Sequence, residues 1–576
     1  MVWYQIFPER FRNGSPGNDP TVEDQVGAWP HERAQGWHIS PWTSDWYQLQ
    51  TWEKTDGEAF YFHVQQRRYG GDLQGVIDKL NYLQDLGIGA IYFTPLFQSP
   101  SSHKYDATMY HHIDKNFGPN PDDDTKIWAT EDPGDPSTWK WTNADKLFLR
   151  LIQEAHKRNI RVIIDGVFNH VGTTFWAFQD VHKNQAASKY KDWFTVNRWD
   201  DPATPQDEFD YVGWAGVREL PQWRQDEGGI VHGPREYIHA VVRRWMDPNG
   251  DGNPGDGIDG WRLDVAEKVA HPFWKEFRTW IRGVNPQAYI VGEVWWEDWP
   301  NSKMFNAAPW LQGDQFDAVM NYRWAREAFR FFGGGKDSIS GSEFVKRLQA
   351  LLHEYPAASN DVLLNLYDSH DTERMASHLM NPDLPYDHRG SPSDNPSYDV
   401  RRPGPRERMV QKLMALFQMT SVGAPMIYYG TEAGMWGADD PDCRKPMLWP
   451  DYRYDDEKSH PFRTDRTPDP NRFDEELFQW YLKLIHLRNS HPVLHTGTFD
   501  PIPTPDETGL LAYRRAEAGQ QLIVILNNAS TARRTTIPIS YQKEGEVTDL
   551  LTERKYPVHD GTVTLMIDGK SGVVLR

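Results

Sequence analysis

Arg262 and Asp264 stand two residues apart in Gly260-Trp261-Arg262-Leu263-Asp264-Val265-Ala266, an apolar run that ends in a cation and an acid. Residues two apart on a strand share a face, so guanidinium and carboxylate project together where this strand finishes. Ala288-Tyr289-Ile290-Val291-Gly292-Glu293 ends in a second acid, and Val362–Tyr367 leads into Asp368-Ser369-His370-Asp371. Cleaving a glycosidic bond takes two carboxyls, one ionised to attack or stabilise and one protonated to assist departure. Acids sharing one pocket have their pKa values pushed apart, which assigns the two roles. Arg262 would hold Asp264 charged and oriented, favouring it as nucleophile. Glu293, set between Ile290-Val291-Gly292 and Val294-Trp295-Trp296, suits the protonated acid/base. A structural salt bridge explains any one of these acids as readily, but not three at successive strand ends.

Asp165-Gly166-Val167-Phe168-Asn169-His170 follows the apolar run Arg161–Ile164. Asp165, His170 and His370 are suited to binding vicinal sugar hydroxyls, because carboxylate and neutral imidazole both accept hydrogen bonds. No His-x-x-x-His pattern or cysteine cluster points to zinc.

What must position these groups is a set of parallel strands. Short β-branched or aromatic runs recur at 2–7, 89–94, 161–165, 258–264, 289–293, 316–320, 362–367 and 425–429. Amphipathic helical stretches lie between several of them, at 72–86, 143–158, 236–246, 271–283, 406–420 and 474–490. Eight strands alternating with helices predict an α/β fold, a (β/α)8 barrel, whose active site gathers at the carboxyl ends of the strands. Loops 8–70, 97–142, 168–235 and 430–473 are long and rich in Pro, Gly, Asp and Trp, as functional loops are. We expect barrel segments at 1–168 and 236–491, an inserted subdomain at 169–235 after strand 3, and a C-terminal antiparallel β-sandwich domain at 492–576.

Composition narrows the function. The 62 basic and 82 acidic residues leave a formal charge of −20 with no dense basic run, which argues against nucleic acid as a partner. A neutral ligand is indifferent to that charge. The 26 Trp supply flat faces for sugar rings as well as core. The lone Cys443 excludes an intramolecular disulfide and a cysteine zinc site, and no apolar run reaches the ~20 residues of a membrane helix. Val2–Phe7 reads as a strand at once, without a signal-peptide pattern. That leaves open a cytoplasmic protein and a periplasmic or secreted one whose upstream leader was removed.

Taken in order and spacing, Asp165–His170, Gly260–Ala266, Val291–Trp295 and Ser369-His370-Asp371 resemble the four core motifs of glycoside hydrolase family 13, the α-amylase family. The resemblance implies a retaining α-glucosidic mechanism with Asp264 as nucleophile, Glu293 as acid/base and Asp371 stabilising the transition state. Arg262, His170 and His370 would complete subsite −1. Further stretches are similar to the cyclomaltodextrinase, neopullulanase and maltogenic amylase branch. Gly71–Val76 opens a helix with Asp72 available as N-cap. His103-Lys104-Tyr105-Asp106 carries a Tyr that stacks on the −1 sugar in similar enzymes, and Asp440–Pro446 matches that branch's Asp/Arg pair, here Asp440 and Arg444, at subsite −2. The implied substrates are cyclodextrins and maltooligosaccharides, with transglycosylation as an accompanying reaction.

The chain also departs from that branch. Ala266-Glu267-Lys268 stands where the branch has Ala-Asn-Glu, and Glu219-Leu220-Pro221-Gln222-Trp223 replaces a Met-Pro-Lys-Leu-Asn type of loop. Both shape the acceptor side, so a starch-degrading α-amylase and a 4-α-glucanotransferase remain alternatives. A non-catalytic carbohydrate-binding barrel is the remote one, since such proteins usually lose an acid. The branch's extra N-terminal β domain, which supports dimers in relatives, has no counterpart here, so oligomeric state stays open. Asp247, Asn249, Asp251 and Asp256, spaced through Asp247–Asp256 around a central Gly, resemble the first half of a calcium loop. A structural Ca²⁺ is therefore expected there, without the terminal bidentate Glu of an EF-hand.

Overall fold

A computed structural model describes residues 1–54, 57–462, 466–540 and 542–576. Eight short strands, β1 (Trp3–Ile6), β2 (Ala90–Phe93), β3 (Arg161–Gly166), β4 (Gly260–Leu263), β5 (Tyr289–Gly292), β6 (Ala318–Val319), β7 (Leu364–Asn365) and β8 (Ala424–Tyr428), pair in parallel in the order β6-β5-β4-β3-β2-β1-β8-β7. A parallel bridge from Met320 to Leu364 joins the two outer strands and closes the barrel. Each strand coincides with one of the eight sequence runs, β3 running one residue past its run to Gly166 and β8 starting one residue before its run at Ala424. Their buried apolar side chains, such as Ile91, Ile163 and Ile290, are what a sheet covered on both faces requires. Gly260 opens β4 at φ 152°, where a Cβ would lie 1.9 Å from the Tyr289 carbonyl oxygen; only glycine lets β4 and β5 approach so closely.

The surrounding helices follow from their caps and apolar stripes. Thr142 and Asp145 form a reciprocal capping box at the start of the helix Asn143–His156. The helix His271–Val284 buries Phe273, Trp274, Phe277 and Ile281 on one face. Asp72 caps the next example as expected, its carboxylate accepting from Gly75 N at 2.7 Å. The stretch 72–86 is not one helix, however: Lys79, at φ −105° and ψ 6°, divides it into Leu73–Asp78 and Leu80–Leu86. The stretch read from 236 begins earlier, as His232–Met246, because Pro234 lies in the first turn, where its missing N–H costs nothing.

The long loops pack on one another over the barrel mouth. Trp46, Tyr47, Phe60, Val64, Tyr69, Tyr398, Val400 and Ala438 form their own buried cluster. The insertion after β3 holds the helix Trp176–Asn184 and two short antiparallel ribbons. Beyond the helix Glu475–Ser490, eight strands, β9 (Asp500–Ile502), β10 (Leu510–Glu517), β11 (Gln520–Asn527), β12 (Arg533–Pro538), β13 (Gly545–Thr548), β14 (Lys555–His559), β15 (Thr562–Ile567) and β16 (Ser571–Leu575), form two antiparallel sheets, β9-β10-β11-β16 and β12-β15-β14-β13. Val558, Val563, Leu565 and Val573 face a common core between them. The buried Arg515 fastens this domain to the barrel by donating to the Thr420 carbonyl at 2.6 Å, while its other nitrogens donate to the carbonyls of Thr498 (2.9 Å) and Gly497 (3.0 Å) at the domain's own start. Among the described residues no helix is long and apolar enough to cross a membrane.

Candidate active site

Where β3, β4 and β5 end, three acids meet one guanidinium. Arg262, fully buried, donates from Nη1 to Asp165 Oδ2 and Asp264 Oδ1, each at 2.8 Å, and Nη2 lies 2.9 Å from Glu293 Oε1. Parallel register sets this up, since Asp165 is paired with Arg262 and Arg262 with Val291, two residues short of Glu293. The next residue is strained: Val265 sits at φ 44° and ψ 42°, a left-handed conformation costly for a β-branched side chain. That turn aims the Val265 N–H at Glu293 Oε2, 2.9 Å away. Glu293 is thus gripped through both oxygens, and Arg262 serves three carboxylates rather than Asp264 alone.

Facing this hub is a second group from the ends of β7 and β8. His370 Nε2 lies 3.0 Å from Asp371 Oδ2, and Arg444 reaches Asp371 Oδ1 at 3.3 Å, Asp440 Oδ1 at 2.8 Å and the His370 carbonyl at 2.8 Å. Tyr105 links the two groups. Its hydroxyl donates to Asp165 Oδ2 at 3.0 Å and also contacts His370 Nε2, with its ring parallel to the imidazole at 5.4 Å. Two residues that sequence reasoning did not single out complete the frame. Tyr92 donates to Asp165 Oδ2 at 2.7 Å, and Gln5 Nε2 lies 2.8 Å from His370 Nδ1. Both project from inside barrel strands; the one signal was a polar Gln5 within a buried apolar run.

Burial pushes the carboxyls of Asp264 and Glu293 above their ordinary ranges; Arg262 opposes this for both, and neighbouring acids reinforce it. Asp371 goes the other way. Burial would raise it, but the charge and hydrogen bond of His370, with Arg444 behind them, hold it below the usual carboxylate range. The pocket therefore sets one firmly ionised acid beside a buried pair, and the Glu293 charge that raises Asp264 favours one proton between the two, so that one carboxyl attacks while the other donates. His170 is buried and its pKa is lowered to about 3 by desolvation, so it is neutral; it stacks on Trp214, and its Nε2 has no hydrogen-bond partner among the described residues. Gln222, in the loop that departs from the branch, pairs with His170 through the backbone and donates to Asn169 Oδ1 at 3.0 Å.

The alpha-amylase catalytic-domain family model matches residues 5–131 and 141–497. The chain belongs to the alpha-amylase family. It is 35% identical over 566 residues to a cyclomaltodextrinase of Geobacillus thermopakistaniensis, covering 98% of this chain and 75% of that protein. It is likewise 35% identical over 577 residues to neopullulanase 2 of Thermoactinomyces vulgaris, covering 100% and 77%. Among solved structures, a cyclomaltodextrinase superposes with a TM-score of 0.70 at 31% identity, over 100% of this chain and 78% of that one. This member of the alpha-amylase family is accordingly a glycoside hydrolase.

The Asp247–Asp256 loop of this alpha-amylase family chain lies apart from the acids, just before β4. Asp247 Oδ2 accepts from Gly252 N at 3.0 Å, and Asn249 and Asp251 cap successive turns of the loop. One oxygen each of Asp247 and Asp256 is buried with no hydrogen-bond partner among the described residues. Burial raises the Asp256 carboxyl, and the charges of Asp251 and Asp247 add to it.

Proposed function

We propose that this enzyme hydrolyses α-1,4-glucosidic bonds of cyclodextrins and maltooligosaccharides with retention of configuration, and that it transfers glycosyl units to sugar acceptors as a side reaction. The observation that carries this reading is the single guanidinium of Arg262 shared by Asp165, Asp264 and Glu293, opposite an ionised Asp371. Asp264 attacks the anomeric carbon while Glu293 protonates the departing glycosidic oxygen, so the C–O bond breaks and a glycosyl–Asp264 ester forms. Glu293, now ionised, takes a proton from water; the water oxygen attacks the same carbon, releases Asp264 and leaves the product with its original anomeric configuration. Asp371 and His370 hold ring hydroxyls of the −1 sugar through this step. Tyr105 stacks on that sugar, Asp165 and His170 complete its contacts, and the Asp440/Arg444 pair binds the next unit.

The names of the relatives support cyclodextrins and pullulan-type glucans as the substrate class. Asp247, Asn249, Asp251 and Asp256 fit a hard, oxygen-preferring cation such as Ca²⁺, because two of their buried oxygens lack donors. Such an ion would brace the loop that feeds β4 and takes no part in the chemistry. In Asp264→Asn, turnover should fall ~10³-fold or more while folding and sugar binding persist; activity within about tenfold of wild type would refute the assignment. Parallel digestion of β-cyclodextrin, starch and pullulan, with products identified at low and high maltose, separates hydrolase from transferase and ranks the substrates.

A further inference from the structure

Far along the 97–142 loop, two adjacent histidines and a distant glutamate converge in the interior. His112 Nε2 lies 2.9 Å and His111 Nε2 3.8 Å from Glu131 Oε2. Among the described residues this is the one trio of His, Cys, Asp or Glu whose ligand atoms all fall within 4.8 Å of one another. All three side chains are buried to 1% exposure or less. No spaced-histidine motif marks the trio, because the two imidazoles are neighbours in sequence and the carboxylate comes 19 residues after His112.

We propose that His111 Nε2, His112 Nε2 and Glu131 Oε2 bind a divalent transition ion, Zn²⁺ in the first instance, as a structural staple outside the active site. The chemistry of the donors fits: two imidazoles and a carboxylate leave a fourth, tetrahedral position for water. So does the spacing, because ligands on a tetrahedral zinc at 2.0–2.1 Å stand about 3.3 Å apart, and the two observed distances bracket that value. The independent sign is His111 itself. It is fully buried, yet its Nε2 has no hydrogen-bond partner among the described residues and points into the trio. Such an atom is costly to leave unmade unless something binds it.

Around the trio lies the second layer that metal-bound histidines use. His112 Nδ1 is 2.7 Å from Asp145 Oδ2, and His111 Nδ1 is 2.7 Å from the Tyr237 hydroxyl. Each remaining ring nitrogen is thereby fixed, leaving Nε2 of both rings for the ion. Glu131 is oriented by the Lys140 N–H, which donates to its other oxygen at 2.5 Å. Trp139 lies parallel to His111 at 4.4 Å and covers one face of its ring. The staple would tie the loop to the helices that carry Asp145 and Tyr237. The Tyr110 hydroxyl, one residue from His111, donates to the carbonyls of Val167 and His170, so the braced segment supports a wall of the sugar pocket.

The test is metal content of the full chain purified without chelators, followed by zinc titration of protein stripped with a strong chelator. One equivalent of Zn²⁺ per chain is expected, with a rise in thermal midpoint on re-addition; Ca²⁺ should not substitute. Replacing Zn²⁺ by Co²⁺ should give the intense visible absorption of a tetrahedral centre, which requires no variant at all. His111→Asn and Glu131→Gln should lose the stoichiometric ion and the absorption band while retaining hydrolysis at permissive temperature. A stripped wild-type chain that takes up neither Zn²⁺ nor Co²⁺ would overturn the proposal. So would an ion that remains bound with unchanged affinity in His111→Asn.

Discussion

Two arginines organise the two sides of the pocket, and they do so differently. Arg262 is sealed from solvent and holds three carboxylates that are themselves buried. Arg444 holds Asp371, whose side chain is 29% exposed, and Asp440, at 41%. A charge hub without water fixes the reacting acids to a single geometry and shifts their proton affinity. A hub open to water leaves its carboxylates free to exchange solvent for sugar hydroxyls. The comparison separates chemistry from recognition within one cleft.

The sharpest way to break it is to remove the sealed cation. Arg262→Leu strands Asp165, Asp264 and Glu293 in the interior and should cost about 3–5 kcal/mol of stability, as broken buried pairs do; chemical denaturation measures it. A loss below about 1 kcal/mol would mean that these acids are not charged together in the resting enzyme.

Arg444→Gln should do less. Its partners reach water, and the principal buried loss is the hydrogen bond to the His370 carbonyl, worth about 1–3 kcal/mol. Its kinetic signature should be a larger rise in KM than fall in kcat, as expected when binding common to ground and transition states is removed. A dominant fall in kcat would place Arg444 with Arg262 instead.

Much of this arrangement was legible in the sequence, for a physical reason. A strand buried on both faces must be written in apolar residues, so eight such runs stand out between polar loops, and an acid at or just beyond several of them, as at Asp264, Glu293 and Asp368, marks the mouth-side end. The side-chain identities of Asp264, Glu293 and Asp371 came through that route. What did not come through depends on tertiary geometry. Val265 is the wrong residue type for a left-handed turn, so nothing in its identity announced the N–H that grips Glu293. Tyr92 looks like any aromatic strand residue until its hydroxyl is found on Asp165. Lys79 divides a helix although its side chain is an ordinary helix former.

Smaller effects sharpen the comparison at its edges. Asp440→Asn removes a solvent-facing pair and should change stability by less than about 1 kcal/mol while weakening the binding of longer maltooligosaccharides. Affinity measured against chain length checks this.

Glu267 belongs to neither hub. Its carboxyl is raised to about 7, first by burial and then by the charge of Glu293, and one of its oxygens has no hydrogen-bond partner among the described residues. The folded state therefore binds a proton there that the unfolded chain releases near 4.5. Stability from this group is fully present below that value and is lost as pH rises to about 7. Glu267→Gln should flatten this part of the stability profile between those limits. An unchanged slope would show that Glu267 ionises in the folded chain as it does in the unfolded one.

The central claim, that Asp264 attacks and Glu293 delivers the proton, is tested most directly by trapping the intermediate. Glu293→Gln incubated with α-maltosyl fluoride, whose leaving group needs no proton, should accumulate a covalent maltosyl adduct. Peptide mass spectrometry should locate it on Asp264. An adduct on another carboxylate, or no adduct together with a product of inverted anomeric configuration, would contradict the account.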